Sequence, residues 1–82
     1  MLRSRRRRRS TNRKLYGLTA ARMRAGLTKS ELSRRSGVSQ PTLSRLEYLD
    51  YAAKPETIMR LARALRVEPG VLVKKPEEKE EA

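Results

Sequence analysis

Apolar positions along the chain fall into short clusters at helical spacing, and alternation with a period of two never survives more than a few residues. The first cluster spans residues 15–25, with Leu18, Ala21, Arg22 and Ala25 on one face and Gly26 closing it. The second opens on Thr28-Lys29-Ser30-Glu31. There the Thr28 hydroxyl can accept from the Glu31 N–H while the Glu31 carboxylate reaches back to the Thr28 N–H, a capping box. This helix should run to residue 36, with Leu32 as its main core residue and Gly37 as its stop. Ser39 can cap a third helix, and Pro41 sits in its first turn, where a missing N–H costs nothing. Leu43 and Leu46 face inward, and the helix should end near residue 47 or 48.

Residues 48–54 read as a loop, and Pro55 starts a fourth helix at its first position. Ile58, Leu61, Ala62 and Leu65 recur at i, i+3, i+4 and i+7, giving one apolar stripe. The run Glu68-Pro69-Gly70-Val71-Leu72 supports a last short turn of helix. The expected fold is all-α, a compact bundle of five short helices with no internal repeat.

At 82 residues the chain holds one domain at most. Phe and Trp are absent and Tyr occurs three times, so the core must be built from Leu, Ile, Val, Met and Ala. With no Cys and no His, neither a disulfide nor a thiolate or imidazole metal site can form, and no metal or cofactor is expected.

Charge changes the picture most. Lys and Arg number 21 against 9 Asp and Glu, a formal net charge of +12. Such an excess speaks about partners and says little about fold. Nucleic acid is the first candidate, an anionic membrane surface the second, and a merely solvated surface the bland alternative. Residues 1–14 hold eight basic groups and no acid, and residues 76–82 are acidic. The expected organisation is therefore a disordered basic arm (1–14), a folded domain (15–73) and a disordered charged tail (74–82). No apolar run approaches a membrane span, and the arm lacks the apolar region of a secretory signal. Like a transit peptide it is rich in Arg and free of acids, but residues 3–14 offer no apolar face. The cytoplasm, in association with the nucleoid, is the expected location.

Two short helices around a glycine turn are not specific by themselves. The joint pattern is: Gly26-Leu27-Thr28-Lys29-Ser30-Glu31-Leu32, then Gly37-Val38-Ser39-Gln40-Pro41-Thr42-Leu43-Ser44-Arg45-Leu46-Glu47, then Pro55-Glu56-Thr57-Ile58 and Leu61-Ala62-Arg63-Ala64-Leu65. From residue 18 to 72 this resembles the helix-turn-helix family of lambdoid phage repressors and Cro proteins, often called XRE-type. The resemblance implies that residues 28–36 form the first helix of the motif and residues 39–47 the recognition helix, whose N-terminal residues enter the major groove. It also implies a structural ion pair between Arg22 and Glu47, which lock the recognition helix onto the first helix. Two departures stand out. Ser33 occupies a position where the family often has alanine, and Tyr48-Leu49-Asp50-Tyr51 follows the glutamate where a glycine is usual.

The residue chemistry points the same way. Ser39, Gln40, Pro41, Thr42, Ser44 and Arg45 project outward as candidate base contacts. Gln can bond bidentately to adenine, Arg to guanine, and small or methyl-bearing groups can touch thymine. Thr28, Lys29, Arg34, Arg35, Lys54 and Arg60 are candidate phosphate contacts. In the arm, Arg5, Arg6, Arg7, Arg8 and Arg9 could enter a narrow minor groove, fold on an RNA hairpin or act as an unspecific tether. An enzyme is not expected, since His and Cys are absent and no phosphate-cradling glycine loop occurs. The expected function is sequence-specific regulation of transcription, repressor-like, by a homodimer on double-stranded DNA. The surface near Val71, Leu72 and Val73 is a candidate for pairing. An antitoxin bound to a toxin partner, sharing the same fold, and an RNA-binding adaptor using the arm are the alternatives.

Overall fold

The computed structural model describes residues 11–75, and among them five helices form in the expected order. They are α1 (Leu18–Arg24), α2 (Lys29–Ser36), α3 (Gln40–Glu47), α4 (Pro55–Leu65) and α5 (Pro69–Val73). The expectations for residues 1–10 and 76–82 lie outside the described residues.

Local chemistry sets the helix limits. At α2 both halves of the capping box are made: the Glu31 N–H donates to Thr28 Oγ1 (3.0 Å) and the Thr28 N–H to Glu31 Oε1 (2.8 Å). At α3 the Ser39 hydroxyl accepts from the Thr42 N–H at 3.3 Å, and prolines open α3, α4 and α5 within their first two positions.

The helix ends are equally regular. After α1, Gly26 turns left-handed (φ 73), its N–H donating to the Met23 carbonyl and the Leu27 N–H to the Arg22 carbonyl. The same pair of bonds recurs after α3, where Leu49 (φ 62) donates to the Leu46 carbonyl and Asp50 to the Arg45 carbonyl. After α4, Arg66 (φ 58) donates to Arg63 and Val67 to Ala62. All three are Schellman endings, which satisfy carbonyls that the helix itself leaves without donors. Gly37 (φ 81) ends α2 with a single bond from its N–H to the Ser33 carbonyl.

Leucines fill the core. Leu15, Leu18, Leu32, Leu43, Leu46, Leu61 and Leu72 are fully buried, joined by Ala21, Val38, Ala53, Ile58, Ala62 and Leu65. Each fully buried leucine contributes roughly 1.5–3 kcal/mol of burial free energy. That is how a domain without Phe or Trp holds together. α2 packs against α3 and α4, and α5 closes the bundle against α1 and α4. Among the described residues Ser36 is the buried polar exception. Its hydroxyl donates to the Leu32 carbonyl (2.7 Å) and accepts from the Val38 N–H (3.1 Å), so it fastens the α2–α3 turn and leaves nothing unpaired.

Four expectations are corrected. α1 begins at Leu18, three residues later than the apolar pattern suggests, because Leu15 reaches the core from non-helical backbone. Ala25 is exposed, since the helix is already turning off into Gly26. Leu72 is fully buried beneath α1 and α4, which leaves only exposed Val71 and half-buried Val73 of the candidate pairing surface. Arg13, expected in a disordered arm, forms an antiparallel bridge with Ala53.

Candidate nucleic-acid interface

α3 is held by one side and open on the other. Leu43 and Leu46 are buried beneath it. Glu47 at its last position receives two hydrogen bonds from Arg22 of α1, Nε to Oε2 at 2.6 Å and Nη2 to Oε1 at 3.2 Å. The remaining Arg22 donor, Nη1, reaches the Leu27 carbonyl at 2.9 Å. The side chains are 15% and 6% exposed, so this fork is largely withdrawn from water. The hydrogen bond to Glu47 raises the Arg22 guanidinium above its ordinary value, which outweighs the opposing effect of burial. A bidentate pair of this kind fixes orientation as well as distance. It ties α1, the chain leading to α2, and the end of α3 into one rigid unit.

On the open side, Ser39, Gln40, Pro41 and Arg45 are exposed, and Thr42 and Ser44 are half-buried. Ser39 and Thr42 are linked, Oγ donating to Oγ1 at 2.9 Å. Ser44 turns towards α2 and accepts from Lys29 Nζ at 3.2 Å. The same ammonium lies 5.5 Å from the centre of the Tyr48 ring, within cation–π range.

The basic residues expected around α3 do not form one patch. Lys29 joins Ser44 and Tyr48 at the crossing of α2 and α3. Lys54 lines a cleft of about 360 Å³ together with Thr42 of α3, Asn12, Tyr51, Ala52, Ala53 and Thr57. Arg35 and Arg60 line another cleft with Arg63, Ser36 and Ala64, on the flank where α2 meets α4. Arg60 also pairs with Glu56 one turn earlier on α4 (3.1 Å), and Arg34 donates to Ser30 at 3.3 Å along α2. Thr28 is spent on the capping box. Arg5 to Arg9 lie outside the described residues.

Tyr48, Arg63, Tyr51, Asn12 and Thr57 were not among the candidate contacts named from the sequence. Ser44 and Tyr48 stand at i and i+4, and Arg60 and Arg63 at i and i+3, spacings that put each pair on one helix face. The juxtaposition of Asn12 with Thr42 has no local sequence signal.

A glycine-turned helix pair with its second helix buttressed on one face and polar on the other defines a small helix-turn-helix module. The family model described as Helix-turn-helix matches residues 18–72, well over half of the chain. The chain belongs to that family, in its XRE-type branch, and is a DNA-binding regulator. Among solved structures, a hypothetical transcription factor from Neisseria is similar at 26% identity with a TM-score of 0.70, covering 78% of this chain and 74% of that one. No curated protein matches. Among the described residues, no helix is long and apolar enough to cross a membrane.

Proposed function

We propose that this chain is a sequence-specific transcriptional regulator, repressor-like, that reads double-stranded DNA by inserting the N-terminal half of α3 into the major groove. The observation that carries this reading is the asymmetry of α3. Its inner face is locked by Leu43, Leu46 and the Arg22–Glu47 fork, while Gln40 and Arg45 stand exposed on the other. A helix so buttressed presents its side chains to a groove without first having to order itself, which lowers the cost of binding. The similarity to a hypothetical transcription factor supports the same reading. Lys29 and Lys54, one at each edge of α3, are the phosphate contacts this placement favours, with Arg34, Arg35 and Arg60 further out. One module of this size covers a short half-site, so the chain acts as a homodimer on a pseudo-palindrome whose half-sites lie about one helical turn apart.

Selection of bound sequences from random duplex DNA tests this. The expected result is one preferred motif with two-fold symmetry. Arg45→Ala should weaken the best site by about 1–3 kcal/mol and relax preference at one base pair per half-site. Gln40→Ala should relax a different position. Profiles of both variants that match the parent in shape would show that α3 does not carry the specificity.

A further inference from the structure

Two helices contribute arginines to a single cleft. Arg35, near the end of α2, and Arg60 and Arg63, one turn apart on α4, line a space of about 250 Å³ whose wall is completed by Ser36 and Ala64. The Ser36 hydroxyl is committed to the α2–α3 turn and Ala64 is apolar, so the guanidiniums supply the chemistry. Glu56 bonds Arg60 at 3.1 Å. Arg35 and Arg63 have neither a hydrogen bond nor an ion pair among the described residues. Three guanidiniums against one carboxylate leave a formal charge of +2 in the cleft. Like charges gathered on a concave wall raise the local potential and concentrate anions there.

The cleft stands apart from the outer face of α3. Lys29 opens α2 and bonds Ser44 of α3, and Lys54 caps the start of α4 beside Thr42. Arg35 and Arg60 each follow those lysines by six residues, about 9 Å further along their helices at 1.5 Å per residue. Both helices thus approach α3 with their first residues and build the cleft with later ones.

We propose that the cleft of Arg35, Arg60 and Arg63 binds the phosphate group of a small phosphorylated ligand, independently of the duplex. Each guanidinium is a planar fork that takes two oxygens of one anion. A carboxylate offers one such edge, whereas a tetrahedral phosphate offers several in different directions, as forks from two helices require. A dianionic phosphate also matches the charge of +2. The volume falls short of the roughly 300–1,000 Å³ of pockets that enclose whole ligands, so the cleft holds the anionic head and leaves the remainder in water. Arg35 and Arg60, the outer cations around α3, then serve a ligand of their own. Arg60 Nη1 lies 3.6 Å from where a Cβ on Gly37 would stand, against the turn between α2 and α3. A phosphate held by Arg35 and Arg60 together spans α2 and α4 beside that turn, an arrangement the unfolded chain lacks, and so stabilises the folded domain.

Titration of the isotope-labelled full chain with inorganic diphosphate at constant ionic strength, followed by two-dimensional NMR, tests this. The amide signals of Gly37 and Ala64 should shift and saturate, with orthophosphate binding more weakly. Arg63 is exposed, so Arg63→Gln should stay folded, as its own spectrum reports, and raise the diphosphate Kd about tenfold, as expected for loss of a hydrogen bond between charged groups. Arg63→Lys keeps the charge but loses the fork, and should weaken binding several-fold. With saturating duplex DNA present, diphosphate should still saturate the same two signals. Shifts that grow without saturating, or that Arg63→Gln leaves unaltered, would make the cleft a solvated basic surface and overturn the proposal. Loss of the saturable shifts once duplex is bound overturns it as well, because the arginines then belong to the DNA backbone.

Discussion

Removing the Arg22–Glu47 fork is the most informative perturbation of this fold, because its parts leave unequal debris. Glu47→Ala deprives Arg22 of two hydrogen bonds but leaves its third, to the Leu27 carbonyl. The guanidinium is 15% exposed and can recover some hydration, so a loss of about 2–3 kcal/mol is expected. Arg22→Ala strands a carboxylate that is only 6% exposed and also frees the Leu27 carbonyl, so it should cost more, about 3–4 kcal/mol. The double variant removes both charges. Its cost should fall short of the summed singles by about 1.5–3 kcal/mol, the coupling energy of contacting groups. A domain of this size has roughly 3–10 kcal/mol of stability in all, at 0.05–0.15 kcal/mol per residue. Each single variant therefore sits near the edge of folding. Urea titrations followed by far-UV circular dichroism, run in a sucrose background that strengthens burial for every variant alike, keep all four proteins measurable. Equal m-values across the set confirm that the same folded state is being compared. A coupling energy under about 0.5 kcal/mol would refute the reasoning, since independent sites add to within that margin.

Other outcomes follow from single contacts. Exposed Arg66 holds a left-handed backbone (φ 58) at the end of α4; Arg66→Gly should stabilise by about 0.5–1 kcal/mol and raise Tm by roughly 2–8 °C in a thermal melt, and an unchanged or lower Tm counts against strain there. At Gly17 an added Cβ would stand 2.3 Å from the Val71 carbonyl oxygen, so Gly17→Ala should force α1 from α5 and cost roughly 1–3 kcal/mol by urea titration; a neutral result would mean the close approach yields freely. The Thr28 backbone N–H, and then its hydroxyl, hold the Glu31 carboxyl below its ordinary value. A lowered folded value means the stabilisation is complete above the ordinary Glu pKa of about 4.3 and fades as pH falls through the folded value. The urea midpoint of the parent should approach that of Glu31→Gln as pH drops from about 6 to about 3, and a constant gap would contradict it.

The sequence made most of the fold legible because each helix start carries its own chemistry. Thr28 with Glu31, Ser39 with Pro41, and Pro55 each mark a beginning within a residue of where it falls. Two of the four left-handed helix ends were equally plain, being glycines. The other two were silent. Leu49 and Arg66 adopt the same conformation as Gly26 against a steric cost, and nothing in their identity says so. The helix-turn-helix family usually has a glycine close after the glutamate, and its absence here left the loop open. The structure answers that the turn is kept and leucine bears the strain. The turn is closed by backbone bonds alone, from the Leu49 N–H to the Leu46 carbonyl and from the Asp50 N–H to the Arg45 carbonyl, which need no particular side chain.

The candidate interface divides along the same line between local and distant information. Gln40 and Arg45 could be placed outward from helical spacing alone, and the resemblance placed Arg22 against Glu47 across twenty-five residues. Spacing does not report who competes for a side chain, however. Ser44 was expected to face bases, and spacing gave no sign that it also accepts from Lys29 of the neighbouring helix. The same ammonium lies over the Tyr48 ring, so a residue read from the sequence as a candidate phosphate contact is positioned at the edge of α3. Arg13 is the sharper case. Eight basic groups without an acid read as a disordered arm, and that composition is blind to a backbone bridge, which needs no particular side chain at all. The pairing with Ala53 exists because Leu15 must reach the core, and burying Leu15 draws the preceding backbone alongside the loop before α4. A core leucine thereby fixes the backbone at Arg13, a position that charge pattern alone had assigned to a disordered arm.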